Sequence, residues 1–191
     1  MTKNKKEKLI ALGFELIEKK GWKNFSLESL SEVDKNDVET VESFFRNKLQ
    51  FLESFSEMID DKVLAEVDQE EFKKNSIKDN LFELIMLRFE NLNDYKTGLK
   101  ILLSELKKSP IELKKIMKKI LDSMDLFLEV ANIKNNYIMD FIKVNVIFII
   151  YSYVFNVWLD DESPEMSKTM AELDKWLSQA EFYGKKINEL L

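Results

Sequence analysis

The residue types that carry most enzyme chemistry are absent from this sequence. Its 191 residues include no cysteine and no histidine. Their absence excludes thiolate nucleophiles, imidazole bases, Ser–His–Asp triads and the usual zinc sites. Catalysis would have to depend on carboxylates, lysines or tyrosines. The sequence therefore indicates a protein that is not an enzyme and that holds neither a metal ion nor an organic cofactor.

The adjacent carboxylates of Asp160 and Asp161 are the clearest candidates for a general acid–base pair in catalysis. Two carboxylates that act as acid and base must converge on one substrate atom. Consecutive side chains point in different directions on a helix or turn. A hydrolase built on this pair is therefore the least favoured of three hypotheses about function.

Lysines are clustered in a chain whose net charge is −6. Residues 1–25 carry seven lysines against three glutamates. A second cluster lies at the start of a predicted helix, where it is either a solvated face or a surface for anionic lipid or an acidic partner. Its members are Lys107, Lys108, Lys114, Lys115, Lys118 and Lys119.

The elements that must position these residues are predicted to be helical throughout. Only four Gly and two Pro are present, too few to punctuate an all-β chain. Ser26, Asn47, Ser76 and Ser109 are helix-starting residues. Apolar periodicity and these caps predict nine helices, at about 3–20, 27–33, 36–45, 47–67, 76–92, 93–108, 110–131, 136–159 and 163–181.

Two domains are expected, with a charged linker between them. Residues 1–50 form a small headpiece, a fourth helix continues to about 67, and 68–191 form a larger helical domain. Val144–Leu159 carries no formal charge but is shorter than the ~20 apolar residues of a membrane span. Residues 1–8 lack the apolar core of a signal peptide. We therefore expect a cytoplasmic protein, which could also bind peripherally at a membrane.

The headpiece carries a set of residues at a familiar spacing, namely Ala11, Leu16, Gly21, Ser26, Leu27, Leu30, Thr40 and the run Phe45-Arg46-Asn47-Lys48-Leu49. In these residues it resembles the DNA-binding region of TetR-family regulators, in which the third helix of a helix-turn-helix enters the major groove. The resemblance implies an all-α TetR-like fold. If the headpiece binds DNA, the candidate contacts are Lys3, Lys5, Lys6, Lys35, Thr40 and Lys48.

Charge around the third helix disfavours DNA. DNA affinity depends largely on cations that neutralise phosphates. Residues 26–48 instead hold six acids against Lys35, Arg46 and Lys48. The acids are Glu28, Glu32, Asp34, Asp37, Glu39 and Glu42. A headpiece that is retained only for packing is therefore the alternative to a DNA-reading one.

A second likeness lies near the C-terminus. Residues 158–165 (Trp-Leu-Asp-Asp-Glu-Ser-Pro-Glu), with Thr169 and the run Leu173-Asp174-Lys175, resemble the closing motif of TetR-fold accessory proteins of ubiquinone biosynthesis. The resemblance implies a non-enzymatic protein that binds a lipid or isoprenoid and assists a membrane-associated biosynthetic enzyme. The residues alone give a plainer account, in which Ser163 and Pro164 start a helix and Trp158 fills the corner before it.

Methionine and aromatic side chains recur on three helices of the larger domain. Such side chains suit an irregular apolar cavity between helices, although an ordinary packed core has the same composition. We expect a pocket for a hydrophobic small molecule or lipid. Its predicted lining is Phe82, Met86, Phe89, Met117, Met124, Phe127, Phe141, Phe148, Tyr151 and Phe155.

A polar stripe on the helix at 136–159 predicts an interface. Asn145, Ser152 and Asn156 follow i, i+7, i+11 spacing on an otherwise apolar helix, which is expected to be buried on most sides. Buried amides and hydroxyls need partners. A second copy of the chain, with Trp176 also at the interface, or the head group of a ligand would supply them. The resemblance to TetR-like proteins, in which the last two helices form the dimer contact, implies the dimer. The leading hypothesis is a dimeric lipid-binding accessory protein of ubiquinone biosynthesis, and the alternative is a ligand-responsive transcriptional regulator.

Overall fold

The structure is a computed structural model that describes residues 2–34, 38–131 and 137–190. All regular elements in these ranges are helical, which confirms the all-α fold class. Two short 3-10 helices, Asn93–Tyr95 and Pro164–Met166, precede α7 and α10. The α-helices are α1 (Thr2–Lys20), α2 (Leu27–Asp34), α3 (Val38–Glu42), α4 (Lys48–Glu66), α5 (Gln69–Phe72), α6 (Ile77–Leu92), α7 (Lys96–Leu106), α8 (Pro110–Val130), α9 (Tyr137–Leu159) and α10 (Ser167–Leu190).

Side-chain caps set several helix starts. The Ser26 hydroxyl accepts from the Ser29 amide at 3.2 Å, ahead of α2. The Asn47 side chain accepts from the Gln50 amide at 2.9 Å, ahead of α4. The Ser76 hydroxyl accepts from the Asp79 amide at 3.1 Å, ahead of α6. Each bond satisfies an amide that has no partner within the helix, so local sequence defines these boundaries.

The chain folds into two compact units. The N-terminal unit comprises Met1–Asp61 and Leu92–Lys119, and the C-terminal unit comprises Lys62–Asn91 and Ile120–Leu191. Helices α4 and α8 each contribute residues to both units. The domain boundary predicted near residue 68 stays a prediction.

Aromatic side chains fill the core of the N-terminal unit. Helix α1 packs against α2 and α7, and α2 packs against α3. The Phe14 ring lies 4.3 Å from the Phe55 ring and 5.0 Å from the Tyr95 ring, measured between centroids. The Trp22 ring stacks on Phe25 at 5.5 Å. The contacts of Phe14 attach the first helix to α4 and to Tyr95, which lies about 80 positions further along the chain.

Helices α9 and α10 pack against each other in the C-terminal unit. The turn between them contains Glu165 and Met166, whose φ angles are both +54°. This left-handed backbone keeps Pro164–Met166 out of the α-helix, so α10 begins at Ser167 rather than at the predicted residue 163. It also continues to Leu190, past the predicted end at 181.

Candidate functional site

A buried arginine lies in the core of the C-terminal unit. Arg88, on α6, is 1% exposed, and its Nε donates to the Tyr151 hydroxyl on α9 at 3.1 Å. Burial of a guanidinium is costly unless hydrogen bonds and favourable contacts offset it. The surrounding side chains must therefore be arranged to hold a cation.

Aromatic rings surround this guanidinium. The Arg88 Cζ lies 5.7 Å from the ring centroid of Tyr151 and 5.9 Å from that of Phe127, within cation–π range. Phe89 stacks on Tyr151 with an interplanar angle of 3°. We use the name Arg88 cluster for a set of residues that come from α6, α8 and α9 of one unit, namely Arg88, Phe89, Phe127, Tyr151, Phe155 and Trp158.

The chemistry of the Arg88 cluster suits binding. Its six side chains include no carboxylate and therefore no acid–base pair. Flat rings offer stacking surfaces, and the guanidinium favours carbonyl, carboxylate or other anionic oxygens. Groups of this kind are the ones that contact a flat apolar molecule with an acceptor oxygen.

Four of the ten predicted pocket residues belong to the Arg88 cluster, namely Phe89, Phe127, Tyr151 and Phe155. Met86 and Met124 are buried in the same unit, while Phe82 and Phe148 are half-buried. Phe141 is 72% exposed, and Met117 is 43% exposed on the part of α8 that belongs to the N-terminal unit. The structure does not bring these last two to the cluster.

Two cluster members were not among the predicted pocket residues. Arg88 is charged, and periodicity analysis counts a charged residue as exposed. Its position in the apolar run of α6, one residue before the buried Phe89, is the signal that could have indicated it. Trp158 was predicted to fill a helix corner, and it is fully buried with its ring 5.5 Å from that of Phe89.

The C-terminal motif forms a hydrogen-bonded cap for α10. Asp161 is 4% exposed, and its carboxylate accepts from the Ser163 amide at 2.9 Å and from the Ser163 hydroxyl. It also accepts from the Thr169 amide at 2.8 Å and hydroxyl at 2.7 Å. Burial alone raises the pKa of Asp161, but the four hydrogen bonds outweigh it and hold the pKa far below its ordinary value.

Lys48 was a predicted phosphate contact, but its ammonium is engaged within the headpiece. It donates to the Trp22 carbonyl at 2.8 Å and lies 4.3 Å from the centroid of the Trp22 ring. Burial lowers the pKa of Lys48, while Glu112 and Glu105 oppose the shift. The same tryptophan donates from Nε1 to Glu112 at 3.2 Å.

The other predicted DNA contacts lie in mixed-charge surroundings. Lys3 pairs with Asp61 at 3.2 Å. Lys5 and Thr40 are half-buried, and Lys35 lies outside the described residues. Lys3 and Lys6 border an open cleft of about 380 Å³, whose other lining residues are Glu7, Ile10, Phe44, Ser54, Glu57, Met58 and Asp61. The three acids in this cleft offset its two cations, and Glu39 and Glu42 are exposed on α3.

The predicted dimer residues lie on an open face of the single chain. The Asn145 and Asn156 amides donate to the carbonyls four residues earlier, at 2.7 Å each. Ser152 is half-buried, and Trp176 packs edge-on against Tyr153 at 5.4 Å. The exposed apolar residues Ile142, Val146, Ile149 and Tyr153 follow i, i+4, i+7, i+11 spacing. We call these four residues the α9 stripe.

Within the described ranges, Phe141–Leu159 is the one segment that is long and apolar enough to cross a membrane, judged by length and composition alone. The chain itself buries 39% of it. The expectation that this helix is buried on most sides therefore does not hold for the single chain, because the α9 stripe is left open.

No family model and no curated protein matches this sequence. Eight chains of solved structures do match. One is the TetR transcriptional regulator from Nitrosomonas europaea, with a TM-score of 0.75 and 18% sequence identity over 94% of this chain and 99% of that chain. Likeness at this identity establishes the fold, and the chain has the TetR fold.

Proposed function

We propose that this chain is a non-catalytic ligand-binding protein whose C-terminal unit binds a flat apolar molecule with an acceptor oxygen. The observation that carries the proposal is the Arg88 cluster, in which a guanidinium is buried among stacked aromatic rings. Aliphatic side chains would fill a core that serves only for packing at a lower cost in free energy, because no charge would have to be desolvated. Arginine and flat rings together are the side chains that bind such a ligand.

The absence of a catalytic role is proposed on the chemistry of the acid pair. Asp161 accepts four hydrogen bonds, and its depressed pKa makes it a weak base. A general base works best with a pKa close to the working pH. The carboxylate therefore serves the α10 cap.

We further propose that the headpiece does not read DNA sequence. The ammonium of Lys48 is held by Trp22, and Lys3 is paired with Asp61. The exposed side chains of α3 include Glu39 and Glu42, which repel phosphates. The headpiece then serves as a packed part of the N-terminal unit.

A homodimer is part of the proposal. The α9 stripe exposes four large apolar side chains along one helix face. Exposed apolar stripes of this kind mark interaction surfaces. A second copy of the chain covers the stripe by an isologous contact, with Asn145, Ser152, Asn156 and Trp176 at its edges.

The role in ubiquinone biosynthesis depends on the sequence likeness at residues 158–165. A lipid or isoprenoid ligand and a membrane-associated biosynthetic enzyme as partner belong to this finer hypothesis. The capping role of Asp161 explains the motif without a ligand. The ubiquinone role therefore stays a prediction within the broader proposal, as does cytoplasmic location.

The alternative function is a ligand-responsive transcriptional regulator. It is favoured by the likeness to the Nitrosomonas europaea protein, which is a TetR transcriptional regulator. The two proposals share the fold, the dimer and the ligand site. They differ in whether residues 1–50 bind DNA.

Binding of 1-anilinonaphthalene-8-sulfonate, a flat apolar anion, tests the ligand site. We expect saturable binding that weakens about tenfold in Tyr151→Phe, which loses one buried hydroxyl. The control Phe182→Leu changes an exposed ring on α10 and should bind like the wild type. Equal affinity in all three proteins would contradict the site.

Native mass spectrometry of the purified protein would identify any ligand that co-purifies.

Fluorescence anisotropy with duplex DNA separates the two functions. We expect no affinity beyond the non-specific range of about 10⁻⁴–10⁻⁶ M. The probes are a random duplex and the DNA upstream of the coding sequence. Tighter binding to the upstream duplex, with a steep salt dependence, would establish the regulator instead.

A further inference from the structure

Five exposed lysines lie around the start of α8, in the N-terminal unit. None of their ammonium groups makes a hydrogen bond or an ion pair among the described residues, whereas Lys119 pairs with Glu57 at 3.0 Å. We call this group, together with Ile111, the α8 basic face. Its lysines are Lys107, Lys108, Lys114, Lys115 and Lys118.

Nearby acids offset the α8 basic face only in part, since the exposed Asp122 follows Lys118 by one helical turn. Within 106–121 Glu112 is the one acid, and its carboxylate accepts from the Trp22 indole at 3.2 Å. Glu105, one residue before that range, accepts from the Lys23 amide at 2.6 Å. Both carboxylates are engaged at the turn after α1. A protein whose net charge is −6 therefore carries a local surface with an excess of positive charge.

An apolar side chain stands in the middle of these cations. Ile111 is 75% exposed. Lys114, Lys115 and Lys118 follow it at i+3, i+4 and i+7, which places all four residues on one face of α8. The opposite face carries the half-buried Leu113, Ile116 and Ile120. Helix α8 therefore has a half-buried apolar face. Its opposite, outer face combines positive charge with one exposed apolar side chain.

Helix stability accounts for only part of this arrangement. Lys107 caps the C-terminal end of α7 and Lys108 follows it, where the helix macrodipole favours cations. Lys114, Lys115 and Lys118 lie in the second and third turns of α8, where the macrodipole has little effect. No hydrogen bond or ion pair among the described residues accounts for these three cations, and Ile111 is exposed beside them. The combination on the outer face of α8 points to an external partner.

We propose that the α8 basic face binds the surface of an anionic membrane. Such a surface supplies negative headgroups for the lysines and an apolar layer beneath them for Ile111. A nucleic-acid duplex offers phosphates but no apolar layer. The proposal is independent of the ligand site in the C-terminal unit, so either one can fail alone.

Vesicle flotation with the full chain tests the proposal. We expect binding to vesicles of phosphatidylcholine mixed with phosphatidylglycerol, and none to phosphatidylcholine alone. The triple variant Lys114→Gln, Lys115→Gln, Lys118→Gln should lower the partition coefficient at least about tenfold. Binding should also be lost in about 1 M salt, where the Debye length is ~3 Å.

Two controls separate this surface from general charge. The variant Lys73→Gln, Lys74→Gln, Lys168→Gln removes the same charge from exposed lysines of the C-terminal unit and should bind normally. Ile111→Ser should weaken binding several-fold, and Ile111→Leu should preserve it. Circular dichroism verifies the fold of each variant.

Three outcomes would overturn the proposal. They are the absence of binding to anionic vesicles, equal losses in the two triple variants, and wild-type binding to duplex DNA or an acidic polypeptide in place of vesicles. The anilinonaphthalene titration, run on the same samples, reports the ligand site separately.

Discussion

At the scale of single residues, Asp161 combines burial with negative charge. Two hydrogen bonds come from Ser163 and two from Thr169, so this carboxylate joins the turn after α9 to the first turn of α10. Bonds to a charged acceptor are stronger than neutral ones, and a buried partner left without its acceptor costs additional energy. The motif at 158–165 is therefore a structural cap.

Asp161→Asn is expected to lower the free energy of unfolding by about 1–3 kcal/mol, since the amide group presents donors where the turn also presents donors. Urea denaturation measures the change. Glu162→Gln removes the same charge from an exposed neighbour and should stay within about 0.5 kcal/mol of the wild type. Similar losses in both variants would mean that net charge, rather than the cap, is responsible.

The same carboxylate predicts a pH dependence. The pKa of Asp161 is lower in the folded chain than in the unfolded chain, where it is about 3.9. Its contribution to stability is therefore present above the unfolded value and is lost as pH falls through the folded value. The stability difference between the wild type and Asp161→Asn should be constant above about pH 5 and shrink below about pH 4. A difference that does not change down to acid unfolding would contradict this.

Lys48 is a candidate DNA contact by sequence, but in the structure its ammonium makes contacts within the chain. Its ammonium donates to the Trp22 carbonyl and lies over the ring of the same residue. Lys48→Met should therefore lower the free energy of unfolding by about 1–2 kcal/mol. Arg46→Met, at an exposed position two residues earlier, should change it by less than about 0.5 kcal/mol. Thermal or urea unfolding of both variants tests whether Lys48 is structural.

At the scale of elements, sequence predicted the helices where caps and periodicity agree. Ser26, Asn47 and Ser76 cap helices as expected. The turn α5 was predicted to be a charged linker, but Asp68 caps it by accepting from the amides of Glu70 and Glu71. One helical turn is too short to produce a periodic pattern.

Helix α10 exceeded its predicted length for a different reason. The helix continues through Gly184, because a glycine in a helix costs only about 1 kcal/mol. The ion pair between Lys185 and Glu181 at 2.8 Å helps to offset that cost across the same turn. The start of α10 depends on the left-handed backbone at Glu165 and Met166. This conformation is rare for residues other than glycine, so the local sequence does not predict it.

The candidate site could be predicted only in part. Aromatic spacing on α6, α8 and α9 identified Phe89, Phe127, Tyr151 and Phe155, since each lies on a buried or half-buried helix face. Arg88 was missed, because the cost of burying a charge depends on partners from distant parts of the chain. Tyr151, its hydrogen-bond acceptor, is 63 residues away.

Substitution by alanine is expected to change the free energy of unfolding in opposite directions at two glycines, one directly after α1 and one within α10. Gly21 ends α1 at φ +79°, and an added Cβ would lie 2.6 Å from a Glu105 carboxylate oxygen. Gly21→Ala should therefore destabilise by about 1–3 kcal/mol. An added Cβ at Gly184 meets no atom within 4 Å, so Gly184→Ala should stabilise α10 by about 0.5–1 kcal/mol. A rise in melting temperature for Gly21→Ala, or a fall for Gly184→Ala, would contradict the corresponding assignment.

At the scale of the whole molecule, Ile111 and the α9 stripe expose apolar side chains in two different settings. Ile111 is surrounded by lysines, which suits a charged partner. The α9 stripe contains four apolar residues in succession along one helix face and includes no charge. A second copy of the chain presents the same stripe, so two stripes can cover each other without burying an unpaired charge. On this difference we propose different partners for the two surfaces.

A single charge placed in the α9 stripe should separate the subunits. Ile149 is 64% exposed and lies centrally in the stripe, so Ile149→Glu would bury two carboxylates face to face in a symmetric dimer. We expect a dimer for the wild type and a monomer for Ile149→Glu, measured by size-exclusion chromatography with light scattering. Ile111→Glu makes the same change outside the stripe and should remain dimeric. If Ile149→Glu also remains dimeric, the subunits associate through another surface, and the α9 stripe needs a different occupant.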